Sequence, residues 1–436
     1  MATRKMHALV QVHLTTANQS KIRKAYLVSD VMTTNLEDNK DLGKLFPVLT
    51  DFLQKRQDIL NVNLTYNKIR RKKKMKYPEF FPQNGKIAFV APSFGCATEP
   101  YKSAFLHAQE KWSKEGYTLD FGPNCYAMEG IGISSLPEKC GEELTKYYCD
   151  ETSDCIISCG GGELMCEILD YVDFERIKQA KPKWYMGYSD NTNMTFLLTT
   201  LCDTASIYGP CAGSFGMEPR HASVEDAMEL LRGKKLTMQG YEMWERESYK
   251  DEENPLVPYH LTEKTQIKYI LPDGRTNIDS LRGKEGTAQE TGKPDIHFSG
   301  RLLGGCVDCL VNLLGTKYDK VTDFTEQYKE DGILWFLEAC DLNLMGIRRA
   351  MWQMEHAGWF RHCSGFLIGR PRIGMDVEEF GIDHYQAAYE MLQQYHVPII
   401  MDVDIGHLPP MMPLICGSFA EVSSDGEKYA VEMKLI

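Results

Sequence analysis

From Lys86 onward the chain alternates short apolar runs with stretches in which apolar residues recur every three or four positions. The run Lys86-Ile87-Ala88-Phe89-Val90-Ala91-Pro92 ends at Pro92, Ser93 and Gly95, which predicts a buried parallel strand. A helix-period segment follows over about 102–115, then a strand at Tyr117-Thr118-Leu119-Asp120-Phe121 and a helix over about 137–149. Cys155-Ile156-Ile157-Ser158-Cys159 reads as a third strand running into Gly160-Gly161-Gly162-Glu163, with a helix to about Leu169. Lys183-Trp184-Tyr185-Met186-Gly187 is the fourth strand, followed by a helix over 192–201. Strand and helix in strict alternation predict an open parallel α/β sheet.

The rhythm weakens over 236–298, a polar, loop-rich stretch that includes Trp244 and the segment from Gly283 to Gly292. It reads as an elaborated linker overhanging a cleft. A second domain begins near Gly300-Arg301-Leu302-Leu303-Gly304-Gly305. It holds apolar strands at 332–338, 365–369 and 398–402, a helix over about 343–357, and late segments such as Tyr429–Met433 with the alternation of antiparallel strands. The fold class is α/β: an N-terminal open parallel-sheet domain (75–235), an insertion (236–298) and a C-terminal mixed, β-rich domain (299–436). Residues 1–74 lack this rhythm and end in Arg70-Arg71-Lys72-Lys73-Lys74, which reads as a solvated linker or helix end. Their role stays open.

Composition narrows the function. A net charge of −12 repels phosphate backbones, so nucleic acid is not an expected partner. No secretory leader and no membrane-length apolar run is visible, so a cytoplasmic location without membrane association is expected. The 14 cysteines form no disulfide framework. Cys306-Val307-Asp308-Cys309 has CxxC spacing but no second pair at zinc-like spacing, so it reads as buried thiols ahead of metal or redox use.

The sharpest candidate chemistry is Gly187-Tyr188-Ser189-Asp190-Asn191-Thr192. An apolar strand ends at a glycine, Ser189 occupies the turn and a helix starts at once. The turn is like a nucleophile elbow, which exposes a serine hydroxyl and aims helix amides at the same point. The plainer alternative is that Ser189 or Asp190 caps the helix. His407, in Asp404-Ile405-Gly406-His407-Leu408-Pro409, has the best context for a base. His356 and His362 read as surface or capping residues, and His7 and His13 lie in the N-terminal segment. Glu338 ends a very apolar strand, either as a satisfied structural acid or as the partner of an imidazole. Gly160-Gly161-Gly162 is a tight turn or a cradle for an oxyanion or phosphate. It does not match G-x-G-x-x-G, and that weakens a dinucleotide site.

Taken in order, KIAFVAPS (86–93), SCGGG (158–162), GYSDNT (187–192), Tyr208-Gly209-Pro210, GRLLGG (300–305), Leu337-Glu338 and DIGH (404–407), with Pro413 and Gly417 downstream, resemble the LD-carboxypeptidase family of serine peptidases. Within it the longer microcin C self-immunity branch is the nearer likeness. The resemblance covers about 75–436. It implies a triad of Ser189, Glu338 and His407, an oxyanion hole from the backbone amides of Asp190, Gly161 and Gly162, and an active site in the interdomain cleft. It further implies a cytoplasmic homodimer without metal or organic cofactor. The implied substrate is a murein tetrapeptide ending in D-alanine or a peptidyl or aminoacyl nucleotide. In the immunity branch aromatic residues of the insertion stack on the base; Trp244 is the nearest candidate, with plain packing as the alternative. A non-catalytic ligand-binding protein using the same cleft is the competing reading.

Overall fold

The computed structural model describes residues 74–281, 288–289 and 293–436. The N-terminal segment to residue 73, with His7, His13 and most of the basic run, lies outside the described residues, as does most of 283–292. The first sheet carries the strands β1 (Lys86–Val90), β2 (Thr118–Phe121), β3 (Cys155–Ser158), β4 (Trp184–Gly187) and β5 (Ser206–Tyr208), all parallel, in the order β2-β1-β3-β4-β5. Helices α1 (Tyr101–Lys114), α2 (Pro137–Cys149), α3 (Phe174–Gln179), α4 (Thr192–Cys202) and α5 (Ala222–Leu231) connect and cover it. Every residue of β3 and β4 is buried, as a parallel sheet covered on both faces requires. The chain leaves β1 for the edge strand and returns to β3, so strand order reverses there. In open α/β sheets the crevice beyond the strand ends at such a reversal receives ligands. The loops 91–96 and 159–163 lie at it.

The second sheet has ten strands in the order β11-β10-β9-β15-β14-β13-β12-β17-β18-β6. Its centre is parallel: β12 (Ile296–Cys306), β13 (Ile333–Glu338), β14 (Cys363–Gly369) and β15 (Ile399–Val403). Helices α6 (Val307–Leu313), α7 (Val321–Gln327), α8 (Leu344–His356) and α9 (His384–Leu392) alternate with these strands. The antiparallel flanks are β17 (Phe419–Ser424) and β18 (Tyr429–Lys434) on one side and β9 (Lys268–Ile270) on the other. The stretch 236–298 is therefore more than a linker. Its β6 (Thr237–Gln239) pairs with β18, its β9 with β15, and β7 (Met243–Trp244) with β8 (Glu263–Lys264). Beyond β9 come β10 (Arg275–Thr276) and β11 (Ala288–Gln289). Strands of two or three residues carry too few positions for a period to show. The segment after β3 forms a 3₁₀ turn, Met165–Tyr171, where the pattern suggested an α-helix.

One strand crosses between the sheets. β16 (Leu414–Cys416) pairs antiparallel with β5, at the edge of the first sheet. Among the described residues no helix is long and apolar enough to cross a membrane, and all 14 cysteines are free.

Candidate active site

β4 delivers the serine. After Gly187, Tyr188 is extended (φ −138°, ψ −173°) and Ser189 turns into the left-handed region at φ 62°. A non-glycine residue held there costs on the order of 1–3 kcal/mol, so surrounding contacts must fix the turn. Asn191 does so with its side-chain amide, which donates to the carbonyls of Gly160 (2.8 Å) and Tyr188 (3.1 Å) and accepts from the Tyr185 hydroxyl. The Asp190 carboxylate accepts from the Ser93 hydroxyl, from Met165 N (2.8 Å) and from Asn193 Nδ2 (3.1 Å). The loops after β1, β3 and β4 are thus tied together beneath the serine. The Asp190 side chain makes these contacts, and neither it nor Ser189 caps α4, whose N-cap residue is Asn191.

Glu338 is the last residue of β13 and is 1% exposed. Its Oε2 lies 2.9 Å from His407 Nδ1, and its Oε1 accepts from the Tyr208 hydroxyl at 2.5 Å. His407 Nε2 lies 2.8 Å from Ser189 Oγ. With Nδ1–H donated to the carboxylate, Nε2 is left as the acceptor of the serine proton. Burial opposes ionisation of Glu338, but the facing imidazole and the hydrogen bonds from His407, Tyr208 and Cys306 outweigh it, holding the carboxyl below its usual range. Burial likewise opposes protonation of His407, and the Glu338 charge together with a Cys340 hydrogen bond reverses that, holding the imidazole well above its usual value.

The histidine loop is built on a buried ion pair. Asp404, fully buried, accepts from Arg370 (2.5 Å), the Tyr429 hydroxyl (2.9 Å) and Tyr241 N (2.8 Å). Gly406 then turns at φ 107°, and a Cβ there would come within 2.7 Å of the Glu338 carboxylate. Only glycine lets the histidine loop turn this close against the acid. The glycine turn after β3 packs on the serine in the same way: a Cβ on Gly161 would lie 3.0 Å from Ser189 Cβ and 3.1 Å from Oγ.

The structure thus brings Ser189, His407 and Glu338 into one hydrogen-bonded chain, with Asp190 and the Gly161-Gly162 turn beside Ser189. Trp244 is placed elsewhere. It is 4% exposed, and the guanidinium groups of Arg246 and Arg370 each lie 5.0 Å from its ring centroid. Its ring is occupied by packing. His362 pairs with Glu326 and His356 stacks on Trp352 at the surface. A cavity of about 1320 Å³ between Gln239–Met243, Lys264–Lys268 and Ser423–Ala430 is lined by none of Ser189, Glu338 and His407.

Sequence reasoning missed Tyr208 as a working part of the site. Its hydroxyl accepts from Ser189 N at 3.3 Å while donating to Glu338, so one side chain touches both the Ser189 backbone and the buried carboxylate. Burial and the adjacent Glu338 charge push its pKa far up, which keeps it a donor. The available signal was its position at the end of β5, beside β4. Cys306, buried as its CxxC reading expected, has a further contact that the spacing did not signal: its backbone N donates to Thr192 Oγ1 (3.0 Å), joining the second domain to the first turn of α4.

Residues 87–209 match the family model described as the LD-carboxypeptidase N-terminal domain, and residues 299–422 match its C-terminal counterpart. A putative carboxypeptidase of Vibrio cholerae is 22% identical over 365 residues, covering 82% of this chain and 98% of the relative. The microcin C7 self-immunity protein MccF of Escherichia coli is 21% identical, covering 77% of this chain and 90% of MccF. Among solved structures, MccF in complex with glutamyl sulfamoyl guanosine superposes with a TM-score of 0.64 at 19% identity, and an MccF-like protein from Bacillus anthracis with 0.63 at 20%. Each covers 82% of this chain and 99% of its own, which shows a shared two-domain fold.

Proposed function

The chain belongs to the LD-carboxypeptidase family, and from that premise we propose that it is a serine hydrolase cleaving an amide bond through Ser189, His407 and Glu338. One observation carries the reading: Ser189 Oγ, the imidazole and the buried carboxylate form a continuous chain with links of 2.8 and 2.9 Å. That is the spacing at which a base takes a hydroxyl proton during attack. Ser189 attacks the scissile carbonyl while Nε2 accepts its proton. Glu338 fixes the tautomer and balances the imidazolium charge. The proton then passes to the leaving amine, and water repeats the sequence on the acyl-enzyme.

The backbone N–H groups of Asp190 and of Gly161-Gly162 are the proposed oxyanion donors, and losing one such donor typically costs about 3–4 kcal/mol of barrier. The close approach of Gly161 to Ser189 Oγ supports this, because a side chain there would fill the space beside the nucleophile. A non-catalytic binding role is disfavoured by the cost of holding Ser189 at φ 62° and burying Glu338, which a mere cleft does not need.

The proposed substrate is either an aminoacyl or peptidyl nucleotide, chemically akin to the aminoacyl sulfamoyl nucleosides named in the related MccF complexes, or a murein tetrapeptide ending in D-alanine. A cytoplasmic homodimer belongs to the same proposal. The test is paired hydrolysis of an aminoacyl-sulfamoyl adenosine and the tetrapeptide by the parent and Ser189→Ala, read by mass spectrometry. Serine-dependent release of the amino acid or of D-alanine supports the reading and selects the substrate. Equal turnover by both proteins refutes the mechanism.

A further inference from the structure

The triad is surrounded by thiols that its chemistry does not use. Cys306, at the junction of β12 and α6, places Sγ with a carboxylate oxygen of Glu338 and a ring nitrogen of His407 so that the three atoms lie within 4.8 Å of one another. The Cys340 side chain, on the partly exposed loop after β13, is hydrogen-bonded to the same imidazole. One thiol, an imidazole and a carboxylate therefore cluster together, and a second thiol touches the same imidazole from the adjoining loop.

These donors are held by an outer layer. Asp308, in the first turn of α6, accepts from the backbone amides of Cys340 (3.0 Å), Asp341 (2.9 Å) and Leu342 (3.1 Å). It also lies 3.4 Å from Cys306 Sγ. One carboxylate therefore fixes both the Cys340 loop and the Cys306 thiol. Tyr208 orients Glu338 from the opposite side. Outer contacts that lock ligand side chains in place are what distinguish a cation site from a chance cluster.

We propose that Cys306, Cys340, His407 and Glu338 form a binding site for a zinc-class divalent cation, and that its occupation switches the hydrolase off. Thiolate, imidazole and carboxylate together suit a borderline-soft, tetrahedral ion. With metal–ligand bonds of about 2.0–2.3 Å, neighbouring donors sit roughly 3.5 Å apart, so His407 Nδ1 and Glu338 Oε2, now 2.9 Å apart, must separate slightly while the Cys340 loop moves its thiol in. Binding releases the two thiol protons and the proton shared by His407 Nδ1 and Glu338. The imidazole then carries a metal and the acid no longer orients it, so Ser189 loses its base. The inhibitory consequence rests on the proposed hydrolase activity; the cation site itself does not.

Cobalt(II) chloride added to the full chain is the direct probe. A tetrahedral thiolate site gives intense visible ligand-field bands and a near-ultraviolet thiolate-to-cobalt band, saturating at one ion per chain. Cys306→Ser and, separately, Cys340→Ala are expected to weaken binding by about tenfold or more and to diminish the charge-transfer band, whereas Ser189→Ala retains both. Circular dichroism confirms that each variant is folded. Zinc chloride is expected to inhibit the parent reversibly, with activity restored by a chelator. Weak octahedral spectra, or bands unchanged in both cysteine variants, overturn the site. Hydrolysis indifferent to zinc at saturation overturns the switch. Tetrahedral binding to a protein that hydrolyses neither substrate upholds the site and counts against the proposed activity.

Discussion

Replacing Tyr208 by Phe removes one oxygen atom and nothing else from the volume of the core. Two contacts go with it: the 2.5 Å donation to Glu338 and the 3.3 Å acceptance from Ser189 N. A hydrogen bond to a charged group contributes about 1.5–3 kcal/mol, and a buried amide left without a partner costs about 1–3 kcal/mol. The second contact is long, so a total near 3 kcal/mol is expected. At about 2.1 cal/mol/K of unfolding entropy per residue, the roughly 360 residues of the Lys73–Ile436 unit convert this to a fall in Tm of about 4 °C. The kinetic effect is separate. Glu338 keeps His407 and Cys306 but loses the contact that held its other oxygen, and the strained Ser189 backbone loses an anchor. A fall in kcat of about tenfold to a hundredfold, equal to about 1.4–2.7 kcal/mol, is expected with KM little changed. Calorimetry and initial rates on the cleaved substrate, with fluorophosphonate labelling of Ser189 as a parallel clock, measure both. Because Tyr208 acts through Glu338, Tyr208→Phe added to Glu338→Gln should cost less than the two singly. A variant with parental Tm, parental kcat and fully additive behaviour would refute Tyr208 as a positioning residue.

Other outcomes follow from the same geometry. Ser189→Ala should abolish turnover and fluorophosphonate labelling while leaving the near-ultraviolet circular dichroism unchanged. Glu338→Gln presents an amide N–H₂ to Nδ1, selecting the tautomer whose Nε2 cannot accept the serine proton; a kcat loss of about 10⁴-fold is expected in steady-state assays. Gly161→Ala, whose Cβ would sit 3.1 Å from Ser189 Oγ, should lower kcat by tenfold or more, about 1.4 kcal/mol, with little change in urea midpoint. Arg370→Met leaves the fully buried Asp404 unpaired and should cost about 3–5 kcal/mol in urea unfolding, part of which Asp404→Asn in the same chain restores.

Much of this was legible because the relevant segments are long and locally punctuated. Strands β1, β3 and β4 are largely apolar and run into Gly or Pro, so they announce themselves, as do Ser189 on its turn and His407 between Gly406 and Pro409. What stayed hidden depends on neighbours distant in the chain. Tyr208 matters because β5 lies beside β4, and a tyrosine in a three-residue strand gives no local hint of that. Arg370 lies 34 positions before the Asp404 it neutralises. The insertion looked unstructured because its strands borrow their partners from β15 and β18. Trp244 fitted a nucleobase platform only while its two arginine neighbours were unseen. The CxxC spacing carried less information than the residues around it, since its first thiol faces Glu338 and its second lies 3.6 Å from the Ser189 carbonyl.

The strand β16 sets a timetable for the chain's birth. It lies at the open edge of the first sheet, beside β5, yet it is made some two hundred residues later. At a synthesis rate of about 5–20 residues per second, the emerging first sheet waits about 10–40 s with that edge unpaired. His407 is made just before β16, in the same stretch of chain. The strand that closes the edge of Ser189's sheet therefore arrives together with His407, and no earlier nascent chain holds both a finished first sheet and the Ser189–His407 contact.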